Sequence, residues 1–238
     1  MMDGFLTTEA EVPNPHLPGR LIYQVLAGSH AYGLAGPDSD ADWRGVYLLP
    51  SEKYLGLHLP GVSRTSTPEA VSLEPDQTYH ELRHYCTMLL RGNPNPIEWL
   101  WLDERFVAKS SPVMEKLRAM REHFFSAQML RAYQGWAKAE RLSLHEKWDN
   151  KAASHLLRIL MDFRVALTER RLQVTFEGAQ RQMLMAAKYG HTDAPQLLST
   201  ALRLEEECQE LAAKAGWPVA DEAPVEALLI EARRGELG

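Results

Sequence analysis

The chain has 238 residues, 45% of them hydrophobic, and its 26 Lys and Arg against 32 Asp and Glu give a formal charge of −6. That composition suits a globular core in one large domain or two small ones, and the acidic balance excludes a sequence-independent nucleic-acid coat, whose affinity rests on many Lys and Arg contacts to phosphate. No window approaches the ~20 apolar residues of a membrane span, and residues 1–18 carry acids and prolines where a secretory signal has an apolar run, so a cytoplasmic protein is expected.

Leu21 to Ala27 reads as a buried strand that ends at Gly28-Ser29, with Ser29 placed to cap a short turn over residues 30–34. Asp40 to Leu49 reads as a second strand stopped by Pro50, followed by a short helix capped by Ser51. Val71 to Tyr79 is a weaker third strand, and the spacing admits one more near residues 61–66. His80 to Arg91 places apolar residues at 82, 85, 86, 89 and 90, one face of a helix. The run Gly92 to Pro96 ends it and opens a short helix over 97–102, with Asn95 as N-cap and Pro96 at the first helical position. Beyond Lys109 to Pro112 the pattern predicts long amphipathic helices over 112–122, 126–145, 149–170, 176–189 and 194–215, with a last one near 225–234. The expected class is α+β, with a small mixed sheet and helices in a first domain over 1–108 and an all-helical domain over 109–238. Cys86 and Cys208 sit in helical stretches without metal-ligand spacing, which predicts buried free thiols.

The chemistry concentrates between residues 28 and 45. Asp40 and Asp42 stand two apart entering a strand, so their carboxylates share a face. Like charges that close repel unless a proton or a cation sits between them, and a divalent metal is the commonest enzymatic answer. The Gly28-Ser29 turn ahead of a helix start suits a phosphate, and Arg44, on the face of Asp42, lies within reach of a triphosphate or of the carboxylates. Two-metal displacement calls for a third acid; Asp76 is best placed, with Glu74 and Glu81 in reserve. In the helical half, Lys151, His155 and Arg158 fall at i, i+4 and i+7, a polar stripe able to hold a triphosphate. Plainer readings stand beside these: Asx-turns for Asp38 to Asp42, a helix-start acid for Asp76, a solvated face for the Lys151 stripe. His80 and His84 at i, i+4 are better explained by packing than by zinc, and the tryptophans by core anchoring than by base stacking.

Gly-Ser, Asp-x-Asp and a distant single acid resemble the signature of the polymerase-β superfamily of nucleotidyltransferases. The string GSHAYGLAGPDSDADWRGVYLLP, with HELRHYCTMLLRGNPNPIEWLW after it, is similar to the YcgL-type and RNA-ligase-associated polymerase-β-like families, whose three blocks recur here in order across residues 28–101. The resemblance implies a polymerase-β-like first domain, metal carboxylates at Asp40, Asp42 and Asp76, and a phosphate turn at Gly28 and Ser29. Tyr32, Arg44 and Gly45 also match its pattern. It further implies Mg²⁺ (or Mn²⁺), a nucleoside triphosphate (NTP) as substrate and transfer of its nucleotide to an acceptor hydroxyl, an RNA end in repair or processing. An RNA acceptor predicts a basic groove beside the carboxylates, with Arg83, His84 and Arg91 as contributors. The alternatives are a non-catalytic nucleotide- or partner-binding module of antitoxin type and, third, a phosphohydrolase.

Overall fold

The computed structural model describes residues 16–55, 57, 59–60, 69–74 and 76–237, with the side chain of Glu74 outside the description. The possible strand at 61–66 therefore lies outside the described residues. Five strands form one sheet: β1 (Arg20–Leu26), β2 (Trp43–Leu48), β3 (Ala70–Glu74), β4 (Gln77–Glu81) and β5 (Val107–Ser110), in the order β3-β4-β2-β1-β5. β2 and β4 run parallel and the remaining neighbours antiparallel.

β2 starts at Trp43, three residues later than the pattern predicts, because its partner has turned away. The ladder opens at Leu26 opposite Trp43, and the chain after Ala27 enters α1 (Gly28–Ala31). Asp40 and Asp42 consequently sit on an extended approach to the strand. The weak strand over 71–79 is a hairpin of two strands, β3 ending at Glu74 and β4 beginning at Gln77, and the sequence between them contains a proline, a residue with no N–H to donate to a ladder. β5 carries a single valine in four residues, too little pattern to announce a strand, and it adds to the edge of β1.

The remaining elements are helical: α2 (Leu82–Leu90), α3 (Pro94–Trp99), α4 (Pro112–Ala119), α5 (Ala127–Glu146), α6 (Asn150–Glu169), α7 (Gly178–Lys188), α8 (Ala194–Ala215) and α9 (Ala223–Leu237). α3 begins two residues earlier than expected, with Asn93 as N-cap and Pro94 at its start. Both prolines of its first turn lack an N–H that a first turn leaves unpaired anyway. The Ser126 and Asp149 side chains accept from the amides of Met129 (3.3 Å) and Ala152 (2.7 Å), which fixes the starts of α5 and α6.

α6 packs against α5, α7 and α8, and its middle turns are buried nearly all round, with Ser154, Arg158 and Asp162 set among apolar residues. One hydrophobic cluster runs from Ile22, Val46 and Leu82 to Phe124, Tyr133, Phe163, Trp217 and Leu228, so sheet and helices share a core. A smaller cluster of Tyr47, Leu49 and Tyr79 packs apart from it. The division at 108/109 falls inside β5. α9 also returns to the sheet, where the Arg233 guanidinium pairs with Glu81 and donates to the Leu49 carbonyl at 2.6 Å. Cys86 and Cys208 are buried free thiols. Among the described residues, no helix is long and apolar enough to cross a membrane.

Candidate active site

At the end of β1 the chain turns through Gly28, whose φ of +63° is cheap for glycine alone among the common residues. A β-carbon there would also collide with the Asp42 carboxylate. The second requirement explains the first: glycine lets an acid from the neighbouring strand lie against the turn. The Ala27 amide holds that acid in register by donating to the Asp42 carbonyl at 2.8 Å.

Asp76 arrives from the other side. Trp43 opposes Gln77 in the parallel ladder, so Asp42 and Asp76 precede paired residues at the same end of adjacent strands. The Trp43 amide donates to the Asp76 carbonyl at 2.8 Å. Arg44 then ties the pair together. Its Nη1 donates to the Asp76 carbonyl (2.8 Å) and the Trp43 carbonyl (3.0 Å), and its Nη2 to Asp42 Oδ1 (3.1 Å). Arg44 thus reaches the Asp42 carboxylate, one of the two partners its spacing allowed. Asp76 precedes a strand and not a helix, which removes the helix-start reading.

Asp40, Asp42 and Asp76 line one cleft of about 680 Å³, together with Gly28, Ser29, Asp38 and, from the helical half, Glu140, Asp149, Lys151, His155, Arg158, Lys188 and Tyr189. The helical half also grips the segment that follows the turn. Four successive carbonyls, Ala31 to Leu34, accept from Thr175 Oγ1 (2.8 Å), the Phe176 amide (3.0 Å), Arg181 Nε (2.6 Å) and Lys188 Nζ (2.8 Å). The Gly28-Ser29 turn is thus fixed by elements roughly 150 residues away.

The polar stripe on α6 is not a row of three cations. Arg158 is 1% exposed and donates to Glu98 Oε1 at 2.8 Å, with its guanidinium 3.8 Å from the centre of the Tyr32 ring. The Tyr32 hydroxyl donates to the other Glu98 oxygen at 3.0 Å. Burial raises the Tyr32 phenol well above its ordinary range. Arg158 Nη2 donates to His155 Nε2 at 3.2 Å, which leaves the His155 proton on Nδ1, 3.4 Å from Glu140. Burial, then the Arg158 and Lys151 charges, push His155 down to about 3, so its imidazole is neutral. Lys151 alone of the three is exposed. Lys188 joins it as a second ammonium, lowered by burial and by the Lys151 charge. Deeper in the core, Asp162 accepts from Tyr133 at 2.7 Å and from the Gln173 amide at 2.6 Å, and burial beside Glu98 pushes its carboxyl upward.

Glu81, a reserve third acid, is fully buried and occupied by Arg233 and by the Arg83 amide at 2.7 Å; Glu74 is the reserve whose side chain lies outside the described residues. Arg83, His84 and Arg91 do not line the cleft, and Arg83 pairs with Glu69. No basic groove beside the carboxylates comes from them. His80 stacks on Trp99 with ring centres 5.7 Å apart, as packing predicts. The sequence offered no signal for Lys188 and Tyr189, which reach the cleft only because α7 folds back over residues 31–36.

Among the described residues, no three His, Cys, Asp or Glu side chains stand close enough to hold a metal ion together. The donor chemistry nevertheless fits a hard divalent cation: three carboxylates line one cleft, and that of Asp42 lies against the Gly28 turn.

Comparison with known proteins adds two findings. The protein-family profile described as RlaP, RNA repair pathway DNA polymerase beta family, matches residues 5–226. The uncharacterized protein YcgL of Bacillus subtilis (strain 168) is 29% identical over 106 residues, which span 44% of this chain and 39% of that protein. No solved structure matches the chain.

Proposed function

The chain belongs to the RNA repair pathway DNA polymerase beta family, and we propose that it is a nucleotidyltransferase that moves a nucleotide from an NTP to an acceptor hydroxyl in a reaction requiring Mg²⁺ or Mn²⁺. The observation that carries this reading is the convergence of Asp40, Asp42 and Asp76 on one cleft with the Gly28-Ser29 turn and the Lys151 and Lys188 ammoniums. The cleft volume is in the range of nucleotide-sized ligand sites.

Asp40, Asp42 and Asp76 would hold the divalent ion. When bound, that ion supplies neutralisation of triphosphate charge and a lowered pKa for the attacking hydroxyl. The protein's own part is positioning and electrostatics. The Gly28 and Ser29 amides and the Ser29 hydroxyl donate to phosphate oxygens, and Lys151 and Lys188 face the same charge from α6 and α7. Arg44 orients Asp42 and braces the backbone of Asp76. Asp76 accepts the acceptor's proton as its oxygen attacks the α-phosphorus, and the bond to the departing pyrophosphate breaks. Arg158 and His155 position the wall behind the triphosphate, one bound to Glu98 and the other neutral.

The family's description supports an RNA end as acceptor. The test is incubation of the protein with each isotopically labelled NTP, Mg²⁺ and RNA, following label transfer and pyrophosphate release. Asp40→Asn with Asp42→Asn should abolish both, and so should chelation of the metal. Undiminished transfer in the double variant would overturn the assignment. The second reading, a nucleotide-binding module without catalysis, draws on one observation, that the three acids are not drawn together around a metal position; NTP binding without turnover for any acceptor would favour it.

A further inference from the structure

Resting on the nucleotide reading above, we propose that the ring of Tyr189 is the platform on which the nucleobase stacks. Three aromatic side chains line the cleft, Tyr32, His155 and Tyr189, and the His155 ring is already engaged, 5.1 Å from the Trp136 ring centre and bonded to Arg158. One face of the partly buried Tyr32 ring is covered by the Arg158 guanidinium at 3.8 Å and its hydroxyl is bound to Glu98, so this ring is already engaged. Tyr189 is different: it is 49% exposed and closes the C-terminal end of α7.

Tyr189 is also fixed at its backbone and packed at its hydroxyl. Its amide donates to the Met185 carbonyl at 3.1 Å. Its hydroxyl lies against Gly36, where a β-carbon would collide with it. Gly36 is fixed in turn, since its amide donates to Ser39 Oγ at 2.9 Å and the Ser39 amide donates back to the Gly36 carbonyl at 3.2 Å. A rigid, half-exposed aromatic in a cleft is what a base needs for stacking, because every base presents a π face and little side-chain entropy is lost on contact. Apolar Leu34 and Pro37 line the cleft as well.

Adjacent residues would then divide the ligand. With the tilted His191 ring 6.3 Å from the Tyr189 ring centre, Lys188 Nζ, bound to the Leu34 carbonyl, stands over one side of the Tyr189 ring, 5.7 Å from its centre. It faces phosphate charge while its neighbour faces the base. Stacking reads no base edge, so the platform serves all four NTPs alike.

The test is calorimetric titration of the full chain, in Mg²⁺, with each NTP and with inorganic tripolyphosphate, for the wild type, Tyr189→Ala and Tyr189→Phe. Tyr189→Ala should bind every NTP about tenfold or more weakly and tripolyphosphate as the wild type does. Tyr189→Phe, which keeps the ring, should bind NTPs like the wild type. Unchanged NTP affinity in Tyr189→Ala overturns the platform, as does a parallel loss for NTPs and tripolyphosphate or a Phe variant as weak as the Ala variant. A wild type that binds no NTP overturns the nucleotide reading itself, and the platform with it, a result distinct from the others.

Discussion

The two walls of the cleft hold their charges in opposite ways. On the sheet side, Arg44 and Asp42 form a pair at 3.1 Å whose side chains are 25% and 29% exposed. On the helical side, Arg158 and Glu98 pair at 2.8 Å with 1% and 4% exposure. A partly solvated pair contributes little to folding and can be spent on orienting an acid. A desolvated pair is costly to break, because the surviving partner keeps its charge without compensation. The helical wall is therefore the rigid one, and on the proposed reading the sheet wall serves the ligand, with Lys151 and Lys188 as the helical wall's contribution to its charge.

This contrast can be broken by experiment, starting with the largest effect. Arg158→Leu should destabilise the protein by about 3–5 kcal/mol, since it leaves Glu98 buried and unpaired; denaturant unfolding measures it, and a loss within the range of Arg44→Leu would erase the distinction. Arg44→Leu should lower stability by less than about 1 kcal/mol but reduce transfer activity about 100-fold, as expected when the support of a catalytic or metal-holding group is removed. Lys151→Ala should raise KM for the NTP about tenfold with kcat little changed, as loss of one ground-state phosphate contact predicts.

A separate effect lies in the acid limb of stability. Burial pushes His155 down to about 3 and His80 to about 4, whereas both have a value of about 6.5 once unfolded. As pH falls below that value the unfolded chain takes up protons that the folded chain refuses. Stability is thus intact above about pH 7 and declines as pH drops from 6.5 toward 4. His155→Gln, which keeps an acceptor for Arg158, should flatten part of that decline in unfolding curves taken across the window.

How legible each wall was in the sequence follows from the distances along the chain. The sheet wall is local: Gly28, Ser29, Asp40, Asp42 and Arg44 lie within 17 residues, and their spacing alone pointed to crowded carboxylates beside a turn. Asp76 was reachable by chemical need, but its position depends on β4 lying parallel to β2, which no local pattern announces. The helical wall is assembled from afar. At i, i+4 and i+7 Arg158 shares a stripe with Lys151, yet Glu98, 60 residues earlier, draws it into the core. β5 escaped because four residues on an edge carry no periodicity. Asn93 displaced Asn95 as N-cap because Pro94, like Pro96, is suited to a helix start.

The central claim is that the acids of the sheet wall bind a divalent ion together with a nucleoside triphosphate. Mn²⁺ titration followed by electron paramagnetic resonance, with and without NTP, tests it most directly. The account predicts that NTP strengthens Mn²⁺ binding to the wild type and that Asp40→Asn with Asp42→Asn abolishes that binding while the unfolding midpoint is preserved. Equal Mn²⁺ and NTP binding by the folded double variant would contradict it.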